Sequence, residues 1–367
     1  MSNARKLADN LPTEGQLSGR NVVINGNFDI SQRGTSFTNI GSGGGGTSGY
    51  DDTWTMDRFL ISQGQSAGRC SVEQSTDRPS GFSKSLKIST TTADTNTQAS
   101  EYHRLQTKFE GRDLKRFCKG NSDAKEWTLS FYCKANAAAT YTVELYDTDN
   151  SRSVSKTFSV TTDWTRVIVT FPADTTSGTG FNNDSNLSLE LNWWMHAGTT
   201  YSGGTLQTTW GSLVQANRAV STSSIFDSTN RTFFITGVQL EVGQATPFEH
   251  EPYDTSLIKC QRYYHVFKTD TQNGLRVIHQ DRLTQGYIGN FFMPREMRAA
   301  PTVTQSGMDR IHKPGIRYDT ISGGPNFYYI HTQGFVVTLS VTNNDVDSQT
   351  TYFGASSGGT VTADAEL

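Results

Sequence analysis

Charge is scarce in this 367-residue chain: Asp, Glu, Lys and Arg make up 18% of it, against about 25% in an average globular protein. The formal net charge is −3. No basic excess exists to neutralise phosphates, so a nucleic-acid partner is not expected. Long apolar runs are missing too. No stretch of about 18 apolar residues occurs, so no helical membrane span is expected. The first twenty residues hold no apolar h-region, and no secretory signal peptide is expected there. Cysteine is limited to Cys70, Cys118, Cys133 and Cys260. None forms a CxxC and no His lies at zinc-finger spacing, so all four are expected to be reduced, buried, small apolar residues. Ala, Leu, Glu and Lys are too thin for long amphipathic helices.

Uncharged polar residues, 34 glycines and 11% aromatics fill the gap, while hydrophobic residues reach 34%. That is enough for a sizeable core, and the mixture suits short strands and turns. Asn21 to Phe28 reads as a strand ending in a turn. The glycine-rich run Gly41 to Gly49 lacks the Lys-Ser/Thr of a phosphate loop and reads as a surface loop. Asp57 to Ile61 and Ser85 to Thr90 are short strand candidates. Strict alternation follows at Trp127 to Lys134, Tyr141 to Tyr146, Val167 to Phe171, Leu187 to Trp194 and Phe234 to Val242. Period two repeated this often predicts antiparallel sheets with one face buried. About ten strands fit an all-β fold, a β-sandwich of jelly-roll type over residues 21–250.

Pro247 to Asp254 breaks the pattern, and Asp254 is placed to cap a short helix through about Arg262. Strand candidates resume at Tyr263 to Phe267, Tyr287 to Phe292, Phe327 to His331, Phe335 to Val341 and Thr350 to Phe353. Residues 254–367 therefore form a second small β-sandwich domain, short enough that oligomerisation is expected to complete its core. Residues 1–20 are polar, with material for one helical turn at Arg5 to Asn10. They read either as a frayed terminus or as an arm that docks on a larger assembly.

Catalytic signatures are weak: no helix pattern follows a G-x-S-x-G run, so no nucleophile elbow is expected, and there is no H-x-x-x-H pair. The carboxylates left as candidates for glycoside chemistry are Asp51 with Asp52, Glu144 and Glu190, and no residue is assigned a catalytic role. Sugar recognition takes aromatic side chains plus amides and carboxylates on a firm surface. Glu190, Asn192 and Trp194 offer that set opposite a buried row. Tyr132 and Tyr146 hold the matching faces of two other strands, and Tyr201 and Trp210 lie in the loop that follows. The opposing reading, which weighs more, packs Trp194 beneath that loop and Tyr132 and Tyr146 against neighbours or another subunit. A jelly-roll module can carry a structural calcium near its first and last strands, where Asn25, Asn27, Asp29 and Glu241 supply oxygens, although no D-x-D-x-D-G loop is present. No other cofactor is expected.

Five phrases carry a family resemblance. Asn21 to Phe37 resembles the NLLINGNFDIWQRGTSF opening of tailed-phage tail-fibre and related virion proteins. Thr55 to Phe59 resembles their TADRW, with Phe59 where Trp is common. Gly237 to Glu249 resembles GVQLEVGSTATPFE, Cys260 to Tyr264 matches CQRYY, and Met293 to Val303 is similar to P-x-x-M-R-A-A-P-T-V. The resemblance implies a virion structural protein assembled in the host cytoplasm. It also implies a carbohydrate-binding-module-like jelly roll and a C-terminal β domain, usually homotrimeric. It makes Arg33, Asp57 and Arg58 structural rather than ligand-binding. The expectation is a non-enzymatic appendage, attached to other virion proteins through residues 1–20 and used for adhesion to host-surface glycans. A head decoration, head fibre or tail connector with a purely structural role is the alternative. A glycan-degrading tailspike is the third reading.

Overall fold

The alternating segments of the sequence become strands that pair antiparallel. The computed structural model describes residues 19–41, 50–269, 275–277, 279–281, 286–308, 310–312, 318–341, 351–354 and 359–367. The expectations for residues 1–18 and for the glycine run 42–49 lie outside them. The chain divides after Ser256 into two compact units.

In the first unit the strands are β1 (Ser36–Ile40), β2 (Tyr50–Trp54), β3 (Leu60–Gly64), β4 (Arg69–Ser75), β5 (Ser85–Thr92), β6 (Tyr102–Glu110), β7 (Trp127–Ala135), β8 (Ala139–Asp147), β9 (Arg152–Val160), β10 (Thr165–Phe171), β11 (Leu187–Ala197), β12 (Gly211–Ser212) and β13 (Thr232–Val242). They form two sheets, β1-β4-β5-β13-β7-β10 and β12-β9-β8-β11-β6-β3-β2. The inward rows meet as one core. Leu129, Phe131 and Cys133 of β7 and Val143 and Leu145 of β8 lie in it with Leu189, Leu191 and Trp193 of β11. Phe131 meets Trp193 edge-on at 5.9 Å, and Phe117 stacks on Trp127 at 3.7 Å. None of the four cysteines forms a disulfide; Cys70, Cys133 and Cys260 are buried, whereas Cys118 is half-buried. Burial pushes the Cys133 thiol up to about 12.

Two expected strands are different. Asn21 to Phe28 does not form a strand, because it turns at Asn25, whose φ is 60°. It still runs beside β13, through Val22 N–H to the Leu240 carbonyl at 3.1 Å and Val238 N–H to the Gly26 carbonyl at 2.9 Å. The strand expected at Asp57 to Ile61 begins only at Leu60. Arg58 sits at φ 71° in a turn closed by Phe59 N–H on the Met56 carbonyl, at 2.9 Å. β6 and β9 are strands that the alternation rule passed over.

A helix, α1 (Tyr253–Gln261), follows the proline-bounded break. The second unit holds β14 (Tyr264–Thr269), β15 (Leu275–Val277), β16 (His279–Asp281), β17 (Gly286–Phe292), β18 (Thr302–Ser306), β19 (Arg310–His312), β20 (Tyr318–His331), β21 (Gly334–Val341), β22 (Thr351–Gly354) and β23 (Gly359–Asp364). Its sheets are β14-β23-β18 and β15-β22-β19-β20-β21-β17-β16. Phe291, Met297, Phe335, Val337, Val361 and Ala363 are buried together.

Candidate functional site

Strand register builds the candidate face. β11 lies between β6 and β8, so Asn192 stands opposite Gln106 on one side and Glu144 on the other. Glu190 likewise stands between Lys108 and Tyr146, and Trp194 between Arg104 and Thr142. Paired residues of adjacent strands project from the same face. A grid of polar and aromatic groups therefore stands on the side of the sheet away from the core.

Within that grid the groups bond to each other. Gln106 Nε2 donates to Asn192 Oδ1 at 2.7 Å. Asn192 Nδ2 donates to Glu144 Oε2 at 3.1 Å and to Glu190 Oε2 at 3.3 Å. The Trp194 indole N–H donates to Glu144 Oε2 at 2.9 Å. The two carboxylates that sequence reading set aside for glycoside chemistry, Glu144 and Glu190, thus share one amide. The third candidate, Asp51, accepts from Gly41 N–H and from the Thr53 hydroxyl, both at 2.8 Å.

The face is not open. Residues 198–223 fold back over it and bring Arg218 onto the grid. Its Nε and NH2 reach Glu144 Oε1 and Oε2 at 2.7 and 2.9 Å. Its guanidinium lies 4.9 Å from the Trp194 ring centre and 5.0 Å from that of Tyr146. Arg104 lies 5.2 Å from the same indole ring. Burial opposes the charge on Arg218, but Glu144 outweighs it and raises the guanidinium pKa. Tyr201 closes over Trp194 at 5.3 Å, with Tyr102 at its edge. The cover is tied to β8 by Ser223 N–H on the Thr140 carbonyl (2.7 Å) and by the Thr222 hydroxyl on Thr142 Oγ1 (2.7 Å). Trp194 is left 1% exposed.

The structure therefore gathers Glu190, Asn192, Trp194, Tyr146 and Tyr201, but as the floor and lining of an occupied space. For Glu190, Asn192 and Trp194 a glycan-binding surface is corrected to an internal contact, whereas Tyr146 and Tyr201 stay half-buried. The reading that packed Trp194 beneath its following loop describes what is found. Tyr132 and Trp210 are not part of the group. Tyr132 is on β7 of the other sheet, against Phe82 at 5.3 Å. Trp210 donates its indole N–H to the Pro172 carbonyl and packs on Trp127 at 5.7 Å. Arg218 and Arg104 escaped the sequence reading. Arg218 sits in a loop without periodicity. Arg104 precedes Leu105 in a strand whose two faces are both polar enough to hide its alternation.

Beside Trp210, Lys119 is wholly buried. Its ammonium pairs with Asp147 Oδ2 at 2.6 Å and Asp174 Oδ2 at 3.0 Å, and Phe181 and Trp210 flank it at 5.2 Å each. Burial opposes ionisation of Asp174, but Arg152, Thr176 and Lys119 more than offset it and hold the carboxyl at about 2.

Several of the oxygens expected to hold calcium are already engaged, although Asp29 Oδ1 has no partner among the described residues. Asn25 Oδ1 accepts Ile30 N–H, and its Nδ2 donates to the carbonyls of Ile30 and Asp57, all at 2.9 Å. Asn27 donates to Asp29 Oδ2 at 2.6 Å. Glu241 accepts from Gln239 and from both the N–H and the hydroxyl of Thr246. The phrases that carry the family resemblance prove architectural in the same way. Glu249 accepts the N–H groups of Arg20 and Asn21 at 2.7 and 3.1 Å, with that of Gly19 as a third donor. Asp57 takes both the N–H and the side-chain amide of Gln32. Buried Arg58 donates to the Lys108 carbonyl, and Arg33 lies over the Trp54 ring at 5.5 Å.

No helix among the described residues is long and apolar enough to cross a membrane. No family model matches the chain, and no curated protein matches it. Solved structures do. A family 11 carbohydrate-binding module of a cellulosomal cellulase of Clostridium thermocellum is 8% identical, over 55% of this chain and 98% of that one, with a TM-score of 0.28. A family 30 carbohydrate-binding module is 12% identical, over 50% and 78%, with a TM-score of 0.27. TmCBM61 in complex with β-1,4-galactotriose is 10% identical, over 50% and 88%, also with a TM-score of 0.27. The chain is similar to these modules in being a sandwich of antiparallel sheets.

Proposed function

We propose that this chain is a non-catalytic structural protein of a tailed-phage particle, in which the 21–250 sandwich is a rigid body and residues 1–20 attach to other virion proteins. The observation that carries the reading is where the polar groups go. The phrases that resemble virion proteins build the internal frame through Asn25, Asp57, Arg58 and Glu249. The set that a ligand needs, Glu190, Asn192 and Trp194, is spent on the chain's own cover. A face whose donors and acceptors are already paired has little to give a sugar or a scissile bond. Mass spectrometry of purified particles, with immunogold labelling by antibodies to residues 19–256, tests the proposal. The protein is expected in particles at fixed stoichiometry. Its absence from them overturns the reading.

Adhesion is the second reading, and its support comes from the other unit. Asn290, Val336 and Tyr328 stand in one row across β17, β21 and β20. Phe292, Tyr328 and Tyr329 there are 75%, 50% and 81% exposed. Exposed aromatics beside amides suit either a glycan or a neighbouring subunit of a homotrimer. A glycan array probed with the full chain and with a Tyr328→Ala, Tyr329→Ala variant tests it. Binding that the double substitution removes supports adhesion, and no binding by the full chain at any oligomeric state rejects it.

A further inference from the structure

Three buried side chains converge away from the covered grid. Asp94 lies in the connection between β5 and β6, Glu101 at the entry to β6, and His196 near the end of β11. One ligand atom from each lies within 4.8 Å of the other two, and all three residues are buried. Zinc bonded at about 2.1 Å to nitrogen and oxygen requires ligand atoms about 3–4 Å apart, so the span suits one ion.

The surroundings hold these atoms in place. Ser66 Oγ and Ala67 N–H both donate to Asp94 Oδ2 at 2.8 Å. His196 Nδ1 lies 2.7 Å from Ser224 Oγ, and its Nε2 faces Glu101 Oε2 at 3.2 Å. An imidazole fixed through one nitrogen with the other turned to carboxylates is the way a metal-ligating histidine is oriented.

The charge balance of the cluster points to a cation. The other clusters of buried carboxylates in this sandwich each contain a permanent positive charge. Glu144 has Arg218, and Asp147 and Asp174 have Lys119. Among the described residues, Asp94 and Glu101 pair with no lysine or arginine, and the one basic side chain beside Glu101 is His196. Bringing two carboxylates together out of water without a cation is unfavourable. Next to the cluster stands His103, which pairs with His196 across β6 and β11 and is fully buried. Its Nδ1 meets Gln63 Oε1 at 2.9 Å, but its Nε2 has no partner among the described residues. Both imidazoles lie against Phe226, at 4.9 and 5.4 Å. A polar nitrogen is thus left unsatisfied beside the cluster.

We propose that Asp94, Glu101 and His196 bind one divalent transition-metal ion of the zinc class, and that this ion clamps the cover formed by residues 198–223. One imidazole nitrogen with two carboxylates suits zinc or manganese, whereas calcium prefers six to eight oxygens. Both ends of the cover attach at the cluster. Gly198 N–H donates to the Glu101 carbonyl at 2.8 Å and Thr200 N–H to that of Ala99 at 2.9 Å. At the far end, Ser224 holds His196 and also accepts Phe226 N–H at 3.0 Å. The ion therefore joins the two feet of a segment that Arg218 pins in the middle.

The test uses the full chain stripped with EDTA and titrated calorimetrically with zinc, manganese, calcium and magnesium chlorides. Zinc or manganese is expected to bind at one ion per chain, tighter than calcium or magnesium. Ser224→Ala should weaken binding roughly 10- to 100-fold, and Asp94→Asn should abolish it. X-ray absorption on the metal-loaded wild type, which needs no variant to fold, should find one imidazole nitrogen with oxygens around the ion. Hydrogen exchange of the amides in 198–223 should slow on metal addition. Substoichiometric uptake, a shell of sulfur or several imidazoles, or unchanged affinity in Asp94→Asn overturns the site. Stoichiometric uptake with unchanged exchange in 198–223 overturns the clamp. Either failure leaves the virion reading untouched.

Discussion

Arg218 decides whether the outer face of the sandwich is a surface or an interior. Its two bonds to Glu144 cancel a buried carboxylate that also organises Asn192 and Trp194. Removing one partner of a buried pair leaves an uncompensated charge, at a typical cost of 3–5 kcal/mol. Arg218→Ala is therefore expected to lower the urea-unfolding free energy by about that much and to speed proteolysis within 198–223. Adding Glu144→Gln should recover part of the loss, since the stranded charge is gone. A loss under about 1 kcal/mol for Arg218→Ala would mean that the pair behaves as an exposed one. Lys119 poses the same question at a different corner, and pH answers it. The Asp174 carboxyl sits at about 2 when folded, against 3.8 for a free side chain. The unfolded chain thus takes up the proton first on acidification. The stabilisation is complete above about pH 4 and is lost as pH falls towards 2. Arg152→Met, which removes the largest of the groups holding Asp174 down, should flatten that acid limb in a pH series of thermal melts; an unchanged limb would place the acid sensitivity elsewhere.

At the scale of elements, backbone proximity matters more than side-chain character. Gly26 passes so close to β13 that a Cβ there would lie 2.1 Å from the Val238 carbonyl oxygen. Gly26→Ala must push the turn off the strand and is expected to destabilise by about 1–3 kcal/mol or more, read as a lowered urea midpoint with an unchanged slope. No destabilisation would show that the turn moves freely. The same segment marks what could be read from the sequence. Its Asn-Gly pair announced a turn, but its apolar run Val22 to Ile24 imitated a strand. What makes it a loop is the use of Asn21 Oδ1 to accept N–H groups from Val23 and Leu240, a contact across more than two hundred residues. β7 and β11 were legible because one of their faces is apolar throughout, and β8 because its row is apolar as far as Asp147; in β13 a bulge between Thr236 and Gln239 moves the buried row from Phe233 and Ile235 to Val238 and Leu240, so only its second half follows the simple alternation. β6 was not, because both its faces are buried while one carries His103 and Thr107, and polar residues hide alternation when their hydrogen bonds are met inside. Candidate-site residues were legible as a row on β11. That the row is covered depends on Arg218, which no pattern in a Gly/Thr-rich loop announces.

For the whole molecule, the two units carry separate cores, one built around Phe131 and Trp193 and the other around Phe291 and Phe335. A chain with separate cores need not unfold in one step. Residues 19–256 expressed alone are expected to unfold cooperatively at a midpoint independent of protein concentration. Residues 257–366 should account for a second transition in the full chain, and His265→Asn is expected to identify it. Burial holds His265 down to about 4, against 6.5 for a free imidazole. A folded value below the unfolded one makes the unfolded state the better proton acceptor. The contribution is therefore whole above about pH 6.5 and disappears as pH falls towards 4. The second transition should move to lower temperature across that window, and His265→Asn should remove the movement. Oligomerisation joins the same measurement. If Phe292, Tyr328 and Tyr329 meet another copy, the second transition rises with concentration, because association stabilises only the folded form. Light scattering should then give a trimer for the full chain and a monomer for 19–256. A concentration-independent second transition with a monomeric full chain would leave those aromatics facing solvent. The particle, or a glycan on the host, would then be what covers them.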